Sequence, residues 1–525
     1  MTENQVPDAA TDPASDPPFE AIADRVKAYA RRHPTALAVS DARETLDYAA
    51  FDALVDRVAA SLQRDGVAPG EAVATCAANS ARYAAVFLGA LRAGIALAPL
   101  SPSVTPDAFG AMLRDCGARV LFADAQVAAL LGGPTADRPP LVALRDGAPG
   151  TPFEHWLAPA GSAPQRVEIT PGMAFNIIYS SGTTGAPKGI VQSHGMRWTH
   201  VMRGAAAGYD AQAVTLLATP LYSNTTLVAF FPTLSNGGCV VLMDKFDAER
   251  YLELAQAHRA THTMLVPVQV QRLMACPDFD VFDLGAFRMK FCTSAPFAAA
   301  LKADVLARWP GGLVEYYGMT EGGGSCALAA HEHPDKLHTV GQPLPGHDMR
   351  VIDEDGRELP RGEIGEIVGR SGAMMTGYHG QPAKTAEAEW FDAEGRRFIR
   401  TGDVGRFDDQ GFLTLLDRRK DMIISGGFNV YPSDLEAALR EHPAVTEAAV
   451  AGVPSEQWGE TPVAWVVVRG AADAIDSEAL RQWVNARLGK TQRISTLHLV
   501  DELPRSAIGK VLKTALRERH RASGA

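Results

Sequence analysis

What this chain lacks narrows the field first. None of its six cysteines (Cys76, Cys116, Cys239, Cys276, Cys292, Cys326) forms a C-x-x-C pair. Most sit in apolar runs, which argues against a disulfide frame or a zinc site and for reduced core thiols. No apolar run reaches the ~18 residues a membrane helix needs. Positive charge is not in excess: 50 Lys and Arg against 61 Asp and Glu give a net charge of −11 and a pI near 5.7. That balance argues against nucleic acid as the main partner and against adsorption to an anionic membrane. The first 18 residues are rich in Ala, Asp and Pro, with no basic or apolar segment. They read as a disordered tail (1–18), neither a signal peptide nor a membrane span. Internal repeats and heptads are missing too. A cytoplasmic location follows by default, and a homodimer is left open.

What is present is a 525-residue chain with 46% apolar and 21% charged residues, ordinary for a globular protein with several domains. Helical and strand periodicities alternate from Phe19 onward. A helix ends before His33-Pro34, a strand covers Ala36–Ser40, a helix runs Tyr48–Asp65 to its stop at Gly66, and a strand covers Ala72–Cys76. The rhythm continues through Thr263–Val266 and implies α/β architecture, with parallel sheet covered by helices on both faces. From Val340 to Leu416 short strands separated by Asp-Gly, Arg-Gly and Gln-Gly turns suggest a β subdomain. The last hundred residues read as a small separate α+β unit, with Ser433 and Glu436 as a capping box opening its first helix.

The densest chemistry lies between Tyr179 and Gly189, reading Y-S-S-G-T-T-G-A-P-K-G. Gly182 and Gly185 let the backbone turn its N–H groups toward an anion. The hydroxyls of Ser180, Ser181, Thr183 and Thr184 add donors and Lys188 adds a point charge, a set suited to a polyphosphate. This is no Walker A loop, because Pro187 precedes the lysine and the flanks look like strands rather than strand and helix.

The stretch resembles the phosphate-binding signature of the adenylate-forming superfamily: acyl-CoA synthetases, aryl-CoA ligases, luciferases and peptide-synthetase adenylation domains. Further motifs follow in the family's order. Thr293-Ser294-Ala295-Pro296-Phe297 stands where the family has Gly-Gly-Ala-Pro-Leu, a place where adenine lies against the backbone. In Glu315-Tyr316-Tyr317-Gly318-Met319-Thr320-Glu321 the resemblance implies that Tyr317 stacks on adenine, Thr320 bonds the α-phosphate and Glu321 holds Mg²⁺. A hard cation that takes carboxylate and phosphate oxygens fits that last role. Asp403, in Thr401-Gly402-Asp403, would bind the ribose hydroxyls. Arg418, in Asp417-Arg-Arg-Lys-Asp421, would reach ribose and phosphate, and Lys420 falls on the hinge position. Asp417 departs from the family's glycine. Gly426, Gly427 and Phe428 match the loop that faces the site during thioester formation. Trp458 would wall the pantetheine tunnel, and Arg493 aligns with a CoA-nucleotide contact. Lys510, in Pro504-x-x-x-x-Gly509-Lys510, matches the adenylation lysine.

The resemblance thus implies an ATP-, Mg²⁺- and coenzyme A-dependent acid–thiol ligase. Residues 19–417 would form the ATP- and acyl-binding domain, 418–421 the hinge and 422–525 a mobile domain. The acyl pocket would be lined by Tyr222, Ser223, Asn224, Ala295, Gly318, Met319 and Gly322, with Ser223 and Asn224 replacing the usual ring. No Arg or Lys lies in 222–231 or 317–326 to pair a second carboxylate. This favours a small-molecule monocarboxylate with an apolar body, aryl or alicyclic first and medium-chain second. Fatty-acid ligation proper, transfer to a carrier-protein thiol, and luciferase-like oxidation stay open. Lys510 and Glu321 weigh against a non-catalytic nucleotide or CoA sensor.

Overall fold

The computed structural model describes residues 18–131, 138–180, 188–425, 428–455, 457–469, 475–489, 492–506 and 509–522. Residues 1–17 of the expected tail, Ser181, Gly182, Thr183, Thr184 and Gly185 of the phosphate loop, and Gly426 and Gly427 lie outside the described residues.

Strands that are apolar on both faces must be covered on both faces. Ala72–Cys76 and Ala96–Pro99 are buried throughout and sit inside an eight-stranded sheet. Its parallel part ends at Ala174–Ser180, where Lys188–Ser193 and then Gly377–Tyr378 add antiparallel strands. A second sheet of nine strands is parallel through Leu37–Ser40, Cys239–Leu242, Val214–Leu217, His262–Leu265, Met289–Cys292 and Gly312–Gly318. Helices Ala81–Arg92 and Asn224–Ser235 fill the space between the two sheets. The first is buried at nearly every position, which explains why its sequence shows no polar face. Phe87, Phe175 and Phe231 meet there at centroid separations of 4.9–5.9 Å, from a helix, a strand and a helix in turn.

The β subdomain is a five-stranded antiparallel sheet built from strands between Asp348 and Arg418. A fourth sheet, built from strands between Ile423 and Leu499, carries the helices Pro432–Arg440, Ser477–Asn485 and Lys513–Ala522 and its own apolar core. The molecule is thus mixed α/β, a large N-terminal part and a smaller C-terminal one. No described helix is long and apolar enough to cross a membrane. All six cysteines are free, five of them buried.

The helices begin near where the sequence places them because their caps are local. Ser80 and Ser193 accept from the amides of Tyr83 and Met196, opening Ala81–Arg92 and His194–Ala206. The expected Ser433–Glu436 capping box does not form. Pro432 already occupies the first turn, so Ser433 is inside the helix. Its hydroxyl donates to the Leu416 carbonyl and its amide to Asp417 at 3.0 Å, while Glu436 accepts from the Val450 amide at 2.9 Å. Tertiary partners outcompete the local pair.

Candidate active site

Ser180 and Lys188 lie opposite each other in antiparallel register, so the phosphate loop joins the ends of a hairpin. The Lys188 ammonium stands 5.1 Å from the centroid of the Tyr378 ring. The Tyr378 hydroxyl donates to Glu321 at 2.9 Å. Tyr378 is delivered by the short strand paired with Ile190 and Val191. Sequence reasoning passed over it, since a Gly-Tyr pair after an apolar stretch is a weak local signal.

Glu321 follows Gly312–Gly318 in a loop clamped from the other side. The Met375 amide donates to the Glu321 carbonyl at 2.8 Å, and the Ser371 hydroxyl to the Gly322 carbonyl at 3.0 Å. Gly322 has φ +75, and a Cβ there would stand 1.7 Å from the Ala373 carbonyl oxygen. Glycine at this point is therefore required by backbone packing. Met319 packs beside Ile190, Met375, Tyr378 and Ile399. Thr320 offers its carbonyl to Gln192 at 2.6 Å and leaves its hydroxyl unengaged among the described residues.

Across the cleft the Tyr317 hydroxyl donates to Asp403 at 2.8 Å, and Arg418 pairs with the same carboxylate at 3.2 Å. Both come from paired strands, with Asp403 opposite Arg418 in register. A cavity of about 370 Å³ lined by Thr401, Gly402, Arg418, Arg419 and Lys420 opens beside them.

Lys510 reaches this cleft from the fourth sheet. Its charge is felt by, and feels, Arg418, Asp403, Glu321 and Lys420. It keeps exposed surface, yet the surrounding protein lowers its pKa from the ordinary 10.5, with Arg418 acting in the same direction. The turn that carries it is fixed at several points. The Ser506 amide donates to the Lys510 carbonyl and the Gly509 amide to the Ser506 carbonyl, each at 2.8 Å. Arg505 donates to the Gly509 carbonyl at 2.8 Å and to Glu447 at 2.6 Å. Gly509 has φ +77, and a Cβ there would come within 2.8 Å of Val268. The turn therefore seats on the larger part of the molecule. Lys420 is also affected by Lys188, Asp403 and Asp421, and burial lowers its pKa. Lys188, Arg418, Lys420 and Lys510 thus face Glu321 and Asp403. A locally cationic cleft in an acidic chain suits a polyphosphate.

Residues expected to line the acyl group lie on neighbouring segments. Thr225 and Ser294 share a hydrogen bond of 2.6 Å, joining the first turn of the helix Asn224–Ser235 to 293–296. Ser294 adopts φ +83, the left-handed region where the family pattern has glycine. Ala295 is half-buried beside it and Pro296 and Gly318 are exposed. Ser223 caps the helix Asn224–Ser235 by accepting from Thr225. Tyr222 is half-buried. Tyr316 stacks on Phe291 at 5.6 Å, and its carbonyl accepts from Thr293.

Beneath these segments lies a polar cluster that sequence reasoning missed. Arg197, Gln192 and Asn176 have 1%, 0% and 0% of their surface exposed. Arg197 donates to Asn176 at 3.1 Å, to Gln192, and to Asn224 at 2.8 Å. No carboxylate pairs with it among the described residues.

Other expected site residues are not brought to the cleft. The Glu315 carboxylate is buried against Lys302, and burial pushes its pKa up to about 7. Phe428 and Trp458 are 59% and 51% exposed, beside Ile424 at 53%. The pairing of Ser425 with both Phe428 and Gly459 gathers them at one end of the fourth sheet's strands, an exposed edge of the smaller part. Arg493 lies near that sheet's Ser477–Asn485 helix, where Asn485 bonds Ile494.

Known proteins resemble this chain over nearly its whole length. The family model described as "AMP-binding enzyme" matches residues 26–379, and "AMP-binding enzyme C-terminal domain" matches 434–510. A feruloyl-CoA synthase from Amycolatopsis sp is 33% identical over 498 residues, covering 93% of this chain and 97% of that protein. The fatty acid–[acyl-carrier-protein] ligase ScoC of Streptomyces coeruleorubidus is 31% identical, covering 96% and 97%. The amide bond synthetase McbA from Marinactinospora thermotolerans superposes with a TM-score of 0.83 at 30% identity, covering 95% and 99%. With both family models matched in order and the cationic cleft lying between the parts they describe, the chain belongs to the AMP-binding enzymes of the adenylate-forming superfamily and is an acyl-adenylate ligase.

Proposed function

We propose that this enzyme is a carboxylate–CoA ligase working in two half-reactions, and that its acid has a largely apolar, aryl or alicyclic body. The observation that carries the first half is the delivery of Lys510 into the cleft that holds Glu321 and Asp403. A carboxylate oxygen attacks the α-phosphorus of ATP, the bond to the β-phosphate oxygen breaks, and pyrophosphate leaves. Lys510 lies between attacking and phosphate oxygens. Lys188 and the hydroxyls of the 180–184 loop hold the leaving phosphates, and Thr320 bonds the α-phosphate. Asp403 and Arg418 hold the ribose, with Tyr317 against the adenine. The protein contributes positioning and fixed charge.

Magnesium fits the residues present. Among the described residues no cluster of three or more carboxylate, histidine or cysteine ligands occurs. Glu321 has one oxygen held by Tyr378 and, among the described residues, the other free to ligate. A single carboxylate plus substrate phosphates is the usual manner of holding this ion, and when bound it offsets phosphate charge.

In the second half-reaction the thiol of CoA attacks the acyl carbonyl and AMP leaves. The smaller part turns about Lys420, withdrawing Lys510 and bringing the 426–428 loop and Trp458 to the site. The exposure of Phe428 and Trp458 supports this, since that edge is uncovered while Lys510 is seated. CoA is favoured over a carrier thiol by the feruloyl-CoA relative, with ScoC supplying the competing reading.

The test is pyrophosphate release over a panel of acids, followed by Lys510→Ala. Removing one preorganised charge should lower acyl-AMP formation by ~10² or more. Conversion of supplied acyl-AMP to acyl-CoA should survive. Equal loss of both steps overturns the assignment of Lys510, and transfer only to a carrier protein overturns CoA.

A further inference from the structure

The cluster around Arg197 is costly to bury and is not explained by the chemistry above. Arginine only donates hydrogen bonds, and a backbone carbonyl only accepts them. These two ends fix every amide between them. Arg197 requires the side-chain oxygens of Asn176, Gln192 and Asn224. The Thr320 carbonyl requires the Gln192 nitrogen, which also reaches the Asn224 oxygen at 3.4 Å. Asn176 gives its own nitrogen to the Gln192 oxygen at 3.0 Å. The Asn224 amide therefore turns its oxygen inward twice over. Its nitrogen, with two N–H donors, is left on the outer branch and meets no acceptor among the described residues. Asn224 is also the one half-buried side chain of the four. It stands next to Thr225, whose hydroxyl joins Ser294 across the proposed acyl wall.

The charge behind this amide is not neutralised. Arg197 touches no carboxylate among the described residues, and one of its terminal nitrogens is buried without a partner. Burial lowers its pKa to about 9, which still leaves it cationic at neutral pH. The Phe175 ring, 5.8 Å from the guanidinium, supplies only weak compensation. A positive centre behind two outward N–H groups makes this part of the wall attractive to an electron-rich atom.

We propose that Asn224, oriented by Arg197, is a specificity residue that donates a hydrogen bond to the acyl group, so that the preferred acid carries an oxygen acceptor on its otherwise apolar body. The acceptor is a ring or ether oxygen, a ketone or a hydroxyl. The inference rests on the ligase reading above and sharpens its substrate class. A site built to donate a hydrogen bond discriminates strongly against an isostere that lacks the acceptor, because the donor is then buried unpaired. Arg197 is the positioning residue in this scheme.

The experiment measures kcat/KM for pyrophosphate release with matched acids differing at one atom or group: tetrahydropyran-4-carboxylate against cyclohexanecarboxylate, and 4-acetylbenzoate against 4-isopropylbenzoate. The wild type should favour the acceptor-bearing member of at least one pair by about tenfold or more. Asn224→Leu should bring that ratio to one or invert it. Arg197→Lys keeps a cation but loses the planar fork, and should also collapse the ratio. The readout is the ratio, so a uniform loss of activity from poorer folding does not move it. An unchanged ratio in Asn224→Leu, or a wild-type preference for the apolar member of both pairs, overturns the proposal and leaves the ligase reading standing. Pyrophosphate release with none of a broad panel of acids overturns the ligase reading and this inference with it.

Discussion

Two surfaces of the small C-terminal part differ in how much the rest of the molecule holds them. The Lys510 turn is seated: Gly509 is buried against Val268, and the lysine shares its surroundings with Glu321, Asp403 and Arg418. The opposite case is the edge bearing Ile424, Phe428 and Trp458, three large apolar side chains each more than half exposed. Exposed apolar groups gathered on one edge mark a surface that something covers. One sheet therefore presents one occupied and one unoccupied working face. In the proposed cycle the two faces exchange places, and the difference between them describes a stage of the reaction rather than a difference in importance.

The sharpest way to break the comparison is at Gly509. Gly509→Val puts a β-branched side chain at positive φ and drives it into Val268. Overpacking of this kind costs ~1–3 kcal/mol, so adenylation should fall by up to ~10², while conversion of supplied acyl-AMP is spared. Pyrophosphate exchange and single-turnover thioester formation read the two steps separately, and parallel losses would sink the idea that only one face needs this contact.

A smaller effect is expected at Asp417, where the family pattern has glycine. Its carboxylate accepts from the Ser433 amide at 3.0 Å, a bond that crosses the proposed hinge. Hydrogen bonds to a charged group contribute ~1.5–3 kcal/mol. Asp417→Gly should loosen the seated arrangement by about tenfold, with faster tryptic cleavage after Arg418, Arg419 or Lys420. An unchanged cleavage rate would show that Asp417 does not bias the orientation.

The pH dependence of adenylation follows from Lys510. Its proposed role needs the ammonium, and burial moves its pKa below the ordinary 10.5. The charge is therefore present at low pH and lost as pH rises through that lowered value. kcat/KM for ATP, which reports the free enzyme, should fall on the alkaline side earlier than an unperturbed lysine allows. Lys510→Arg should abolish that limb at a lower absolute rate. An alkaline limb that persists in the arginine variant belongs to another group.

The mildest change is expected on the uncovered edge. Trp458→Ala should raise the KM for CoA several-fold, on the scale of ~0.5–1.5 kcal/mol for one aromatic contact, with pyrophosphate exchange tracking the wild type. A defect confined to exchange would reverse the assignment of the two faces.

Much of this was legible in the sequence, and the reasons differ by region. Strands such as Ala72–Cys76 and helices such as Tyr48–Arg64 announce themselves because period, caps and stops are local. Lys188, Thr320, Glu321, Asp403 and Lys510 carry the resemblance by type and order. Tyr378, Arg505 and Val268 were missed because their roles exist only across distant segments. The Ser433 capping box failed for the same reason, its atoms being taken by Leu416 and Asp417. Arg197 was hidden differently. On a helix of mixed polarity one arginine gives no sign that it is buried, and Arg197 lies outside the segments 222–231 and 317–326 expected to line the acyl group. Glu315 was drawn into the site by its neighbours in the motif, although alternation along a strand sends it to Lys302.

The bonds from Arg505 to the Gly509 carbonyl and to Glu447, on the strand Val445–Ser455, have a mechanical consequence. A lysine at the tip of a free loop could leave by loop motion in nanoseconds to microseconds. In the proposed cycle Lys510, bolted to a sheet, leaves only when the whole sheet swings, a microsecond-to-millisecond event that displaces solvent. Friction with the medium then enters the catalytic cycle. Where that swing limits turnover, the overall rate should decline with solvent viscosity while isolated pyrophosphate exchange stays indifferent to it.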